Sequence, residues 1–183
     1  MKRFLSFGAL LLTMAGLLVS CHENVIDDTL DQFIIVRGEI NVATSANDLY
    51  DGCDVVTSAD ELELLGSNFE IKLPNNDKIQ TVMVLDKDDN PYLMARLAPQ
   101  KGKTIEIDEY STTLALVTMH PLLAPIEGSD YYKVVEMITS SDKFDQLLQE
   151  VTNAVDEKRP LFDSSNEALL LVLSDLCETI AER

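Results

Sequence analysis

Thr104-Ile105-Glu106-Ile107-Asp108-Glu109-Tyr110-Ser111-Thr112-Thr113-Leu114-Ala115-Leu116-Val117 changes its period in mid-stretch. Up to Asp108, polar and apolar residues alternate, so that Ile105 and Ile107 face one way and Thr104, Glu106 and Asp108 the other, as in a strand with one buried face. From Tyr110 the alternation stops. Hydroxyl side chains that can cap a helix start are followed by a short apolar helix that ends before Pro121. The fold expected from this switch is α+β, with strands before it and helices after it.

Upstream, Ile34, Val36, Gly38, Ile40 and Val42 alternate with Ile35, Arg37, Glu39 and Asn41, and Phe69, Ile71 and Leu73 alternate with Glu70 and Lys72. Thr81 to Leu85 and Tyr92 to Leu97 read as two more strands, separated by the hairpin turn Asp86-Lys87-Asp88-Asp89-Asn90-Pro91. Five or six short strands at this spacing predict an antiparallel β-sandwich over residues 33–109. Downstream, residues 110–183 read as a helical segment packed with it. Ser129 to Ile138 holds Val134, Val135 and Ile138, and Asp142 to Asp156 carries Phe144, Leu147, Leu148, Val151 and Val155 at helical spacing. A last helix is expected from Ser164, with Glu167 completing a capping box, through Leu169, Leu173, Leu176 and Ile180. Its apolar stripe is wide, because Leu170, Leu171 and Val172 fill in between. Such a stripe is buried against the sandwich or presented to a partner.

The chain opens with Met1-Lys2-Arg3 and a 16-residue apolar run, Phe4 to Val19, closed by Ser20. This is the three-part layout of an export signal, so residues 1–20 are expected to be removed. The run falls short of the roughly 18 residues of a spanning helix. Leu18-Val19-Ser20-Cys21 resembles the lipobox of bacterial lipoproteins. That resemblance implies a diacylglycerol on the Cys21 thiol, cleavage before it and acylation of the new amine, which would hold a globular domain at the membrane by several acyl chains. Residues 21–32 then form an acidic tether. His22 stands where an aspartate would favour inner-membrane retention, which points to the outer membrane. Glu23, Asp27, Asp28 and Asp31 resemble the surface-export signals of Bacteroidales lipoproteins; the periplasmic and cell-surface sides both remain open. Asp28-Thr29-Leu30 looks like the short O-glycosylation motif of the same bacteria, with Thr29 as acceptor.

The formal charge of −18 includes Lys2 and Arg3, so residues 21–183 carry −20. Phosphate binding needs a basic footprint that such a chain lacks, which argues against nucleic acid as a partner, and the same charge opposes adsorption to anionic headgroups. Past Cys21 two cysteines remain, Cys53 in the turn-like Asp51-Gly52-Cys53-Asp54 and Cys177 on the apolar side of the last helix. A bond between them would close a loop of more than a hundred residues and contribute roughly 4 to 5 kcal/mol if unstrained. The alternative is a buried thiol in the helix and a free thiol in the loop.

A second resemblance rests on Ser67-Asn68-Phe69-Glu70-Ile71, the strand-turn-strand through Asp86 to Asn90, and Tyr110-Ser111-Thr112-Thr113-Leu114-Ala115-Leu116-Val117. In this order they look like Bacteroidales lipoproteins whose first domain is a carboxypeptidase-regulatory-like, transthyretin-type sandwich followed by a helical segment. The resemblance implies a non-catalytic accessory module.

Asp86, Asp88 and Asn90 have the one-three-five spacing of a calcium loop, but Pro91 and Leu97 occupy the positions that need Gly and Glu. Only His22 and His120 are present, so no zinc cluster forms and a nucleophile lacks a base. No Gly-x-Ser-x-Gly elbow surrounds a serine, and no glycine-rich phosphate loop is present. No catalytic, metal or cofactor site is therefore expected. With no Trp and five Tyr, the best patch for a ligand such as a glycan is Tyr131-Tyr132. These readings favour a lipid-anchored, non-enzymatic binding or assembly module with an envelope protein as partner. The alternatives are a small envelope hydrolase using acidic residues, or a glycan-binding accessory lipoprotein.

Overall fold

Asp108 joins strand to helix where the period changes. Its carboxylate Oδ1 accepts the Ser111 N–H at 2.6 Å, and Ser111 Oγ accepts the N–H of Asp108 at 3.0 Å, a reciprocal capping box. The helix therefore begins at Glu109, and Thr112 and Thr113 lie inside it rather than at its cap.

The computed structural model describes residues 32–42, 50, 52–76, 78–97, 103–123 and 129–182. The signal segment and the tether positions Cys21 and Thr29 lie outside the described residues. The chain divides into residues 1–33 and residues 34–183. The strands are β1 (Phe33–Ile40), β2 (Asp54–Val56), β3 (Glu61–Glu63), β4 (Asn68–Pro74), β5 (Gln80–Leu85), β6 (Pro91–Leu97) and β7 (Thr104–Ile107). The helices are α1 (Glu109–Met119), α2 (Ser129–Thr139), α3 (Asp142–Asp156) and α4 (Glu167–Ala181). The fold is α+β, with two sheets in a sandwich-like arrangement ordered β4-β1-β7 and β3-β2-β5-β6.

The alternations read in the sequence are the buried faces. Val36, Ile40, Phe69, Ile71, Ile105 and Ile107 turn inward from the first sheet. Val55, Val82, Val84 and Leu93 from the second join the same core. β1 and β4 run antiparallel: Ile40 N–H donates to the Ser67 carbonyl at 2.7 Å while Arg37 meets Glu70. Opposite Phe69 sits Gly38, where a Cβ would fall 2.0 Å from the ring, so the glycine is what lets the phenyl lie on the strand.

One pairing departs from the antiparallel expectation: β7 runs parallel to β1, with Arg37 opposite Thr104 and Ile40 opposite Ile107. Parallel neighbours need a long crossover, and the whole second sheet lies between these two strands in sequence. The three-residue strands β2 and β3 are too short to show a period of two. α4 starts at Glu167 with Asn166 as its cap residue, not at Ser164 with a capping box. Asn166 is buried, and its amide donates to the carbonyls of Pro160 and Leu161 at 2.7 and 3.2 Å. That fixes the helix start two residues later than the local signal implied.

α1 touches β6, β7, α2, α3 and α4, and is buried on nearly every side. Three of its buried residues are threonines. Thr113 and Thr118 return their hydroxyls to the carbonyls of Glu109 and Leu114 at 2.7 and 2.8 Å. Thr112 instead accepts the backbone N–H of Met94 at 3.1 Å, from the outer edge of β6. Leu93, Met94 and Ala95 are consequently buried in succession, one face of β6 in the sandwich and the other under helix.

Thr112→Val should cost about 1–3 kcal/mol in urea unfolding, because it strands the buried Met94 N–H. Thr113→Val, which removes only a back-bond within the helix, should be close to neutral. Gly38→Ala should cost about 1–3 kcal/mol by displacing Phe69. Equal effects of the two threonine changes would rule out the edge-capping role of Thr112.

Candidate functional site

At the start of α2, Tyr131 and Tyr132 stand side by side with ring centroids 5.6 Å apart and planes at 82°. Their environments differ. Tyr131 is 6% exposed and Tyr132 61%. The Tyr131 hydroxyl donates to the Arg96 carbonyl at 3.3 Å, which ties α2 to the edge of β6. Burial raises the Tyr131 phenol, outweighing its bond with Thr118 and the nearby Arg96 charge, so the ring stays neutral.

The Arg96 guanidinium lies 5.8 Å over the Tyr131 ring, and its Nη1 donates to the Thr118 carbonyl in the last turn of α1. A cation on the carbonyl end of a helix is favoured by the helix dipole, and the cation–π contact fixes the guanidinium plane. Arg96 thus arrives pre-oriented, with further N–H donors of its fork uncommitted to Thr118.

These residues border a groove of about 360 Å³. Val36, Leu97, Ile105, Leu114 and Val135 supply its apolar part, and Arg96, Lys103, Thr104 and the two tyrosines its polar part. The groove is the open end of the sandwich core, since Val36 and Ile105 belong to the inward faces of β1 and β7. No Asp or Glu is among its described lining residues. A neighbouring hollow of about 290 Å³ shares Val36, Lys103 and Thr104, and adds the Arg37–Glu70 ion pair at 3.0 Å. Arg37, Lys133, Lys143 and Arg159 each face a carboxylate at 2.6 to 3.0 Å. Among the described residues, neither Arg96 nor Lys103 does.

Arg96 and Lys103 were not legible as site residues. The one available signal is a charge inside the otherwise apolar Tyr92-Leu93-Met94-Ala95-Arg96-Leu97, which by pattern alone is an ordinary strand. The other tyrosines do not join the groove. Tyr50 is buried with Tyr92 against it edge-on at 6.5 Å, and Tyr110 packs edge-on to Phe144 at 5.4 Å.

The remaining sequence candidates fall elsewhere. Asp86 Oδ1 accepts the N–H groups of Asp88 and Asn90 at 2.8 and 2.9 Å, so the would-be calcium loop closes on itself as a turn. Burial opposes the Asp86 charge, yet the bonds from Asn90 and Asp88 and the Lys87 charge hold its carboxyl below the usual range. His120 ends α1 and accepts the Leu122 N–H at 3.4 Å. It also borders a separate apolar hollow of about 230 Å³ with Met83, Met94, Met119, Phe162 and Leu173. Among the described residues no three His, Cys, Asp or Glu side chains converge on a metal position. No helix among them is long and apolar enough to cross a membrane.

Cys53 and Cys177 are both free and both buried, so the disulfide alternative is not the one this structure adopts. Cys177 lies against α1, with its Sγ 4.0 Å from the Val117 carbonyl. Burial pushes its thiol from 9.0 up to about 12, and burial, then Asp86 and Asp54, raises Cys53. On α4 the stripe of Leu169, Leu173, Leu176, Cys177 and Ile180 is buried, while Leu171 remains 63% exposed. Leu170 is 36% exposed as well, so the core covers part of the wide apolar face and leaves the rest open.

Comparison with protein-family models, with curated proteins and with solved structures gives no match to this chain.

Thiol titration of native protein at pH 8 should show Cys53 and Cys177 unreactive, and unfolding without reductant should release both. A Cys53–Cys177 bond would release neither. The Cys177 contribution to stability is complete below the unfolded thiol value near 9.0 and is lost as pH climbs through about 12, so over that range stability should fall less steeply in Cys177→Ala than in the parent.

Proposed function

We propose that this chain is a lipid-anchored cell-envelope protein acting as a non-enzymatic binding module, and that the groove beside Tyr131 and Tyr132 is where it binds. The observation that carries the reading is the groove itself: an apolar opening into the core, edged by an exposed aromatic ring and two cations without carboxylate partners among the described residues. Hydrolysis by an acid pair would need two carboxylates about 5 to 9 Å apart in a cleft, whereas the described lining of this groove is aliphatic, aromatic and basic. The anchoring half of the proposal rests on Leu18-Val19-Ser20-Cys21, and outer-membrane placement on His22. The carboxypeptidase-regulatory-like resemblance is compatible with strands followed by helices, and as a reading of lineage it stays part of this proposal.

The partner surface moves from the sequence expectation. The wide apolar face of α4 is buried along its stripe from Leu169 to Ile180 and open mainly at Leu170 and Leu171, so the groove under α2 is preferred as the interface toward an envelope protein.

Growth with an alkyne-bearing palmitate analogue should label the chain in a membrane fraction, and Cys21→Ala should abolish the label. Retained labelling would overturn lipidation at Cys21. A photo-crosslinker in place of Tyr132 should give a discrete adduct in cells that is absent when it replaces exposed Leu65 and is lost in Lys103→Glu. Adducts independent of position and of Lys103 would remove the groove as the binding surface.

A further inference from the structure

We infer that the groove receives the C-terminal residue of a partner polypeptide, with its free carboxylate met by Arg96 and Lys103 and its apolar side chain set among Val36, Ile105 and Leu114. This rests on the groove being the binding surface, and it goes on to name what enters.

The chain holds 14 basic and 32 acidic residues, and four of its described cations are already committed to carboxylates. Leaving Arg96 and Lys103 together, with no acid in the described lining, makes one spot of this anionic protein favour an anion. Arg96 is held by Thr118 and Tyr131, so its guanidinium loses little further freedom on meeting a carboxylate, for which its fork is matched.

The apolar lining then chooses among anions. A sugar acid would press hydroxyls against Val36, Ile105, Leu114 and Val135, which can return no hydrogen bond, and burying unpaired hydroxyls is costly. A long acyl chain needs more enclosed volume than about 360 Å³, a value near the lower end of the roughly 300–1,000 Å³ of ligand pockets. An internal Asp or Glu brings a carboxylate without an apolar body. A chain-terminal residue carries both on one Cα. Its preceding backbone would run beside Thr104 and Ile105 of β7, a strand whose one strand neighbour in its sheet is β1, as extended peptides do when they join a sheet edge.

The test uses the full chain in mild detergent and saturation-transfer NMR of N-acetyl-L-phenylalanine, which presents a terminal residue. N-acetyl-L-phenylalaninamide, octanoate and glucuronate are the comparison probes. The acid should bind at least about tenfold more tightly than its amide, weaken with added salt, and lose about fivefold or more in Lys103→Met. Lys103 is exposed, so that variant should keep the parent unfolding midpoint even if Arg96→Gln, which also releases Thr118, does not fold. Equal binding of acid and amide, both weakened by Tyr132→Ala, would overturn the carboxylate inference and leave the groove as a binding surface. Binding of octanoate or glucuronate with no binding of the phenylalanine acid would overturn the peptide terminus. No binding of any probe would overturn the inference too, while the Tyr132 crosslink still reports separately on the groove.

Discussion

The hydrogen bond from the Met94 backbone to the Thr112 hydroxyl marks the constraint on which the rest of this fold depends: β6 ends its sheet, and an edge must be covered. α1 covers it. A helix laid along a strand edge has its own backbone fully engaged and can satisfy the strand only through side chains. A short hydroxyl is suited to that role, because it reaches an N–H without holding the helix away. Ser111 adds a 3.5 Å contact to the Met94 carbonyl while also serving the capping box, so the start of α1 and its position over β6 are fixed together. Two residues along the same edge, the Arg96 carbonyl receives Tyr131. The edge of one strand therefore places both α1 and α2 directly, and α3 and α4 pack against α1.

The placement of charge follows from the same geometry. Arg96 lies opposite Thr81 on β5, two residues from Met94, on the side of the sheet that the helices cover. Its stem is then partly buried, and its head must find oxygen. The last turn of α1 supplies it in the Thr118 carbonyl, and the Tyr131 ring supplies a face. Neither partner neutralises the charge. Exposed pairs such as Lys133–Asp130, by contrast, are each worth at most about 1 kcal/mol and are readily dissolved by salt. The acid surplus is thus spread over a solvated surface, while one cation is held in place beside an apolar opening.

Much of this was legible where residues report on their own neighbours. The alternations at β1, β4 and β7 survive because each strand has one face in the core, and the switch at Asp108 survives because its cap is local. β2 and β3 carry three residues each, too few for a period, and the parallel β1–β7 pairing is set by partners more than sixty residues apart. Ser164 and Glu167 have the spacing of a capping box, yet Asn166 is captured by Pro160 and Leu161 and the helix starts beyond it. At the groove, Tyr131 and Tyr132 could be named from adjacency. Arg96 joins them across 35 residues and could not.

The two tyrosines show how one dipeptide divides structural from surface work. On a helix, successive residues point about 100° apart, so when one ring faces the sheet edge the next must leave it. Tyr131 is the inward one, and its hydroxyl has a backbone partner, which lets a phenol be buried at small net cost. Among the described residues Tyr132 has the edge-on contact with its neighbour to orient it, and it borders the groove with most of its surface in water. Covering an exposed ring of this kind returns roughly 25 cal/mol for each Å² removed from water, with little rotamer entropy to lose. The inward ring builds the wall, the outward ring is left to be covered, and the strand edge beneath decides which is which.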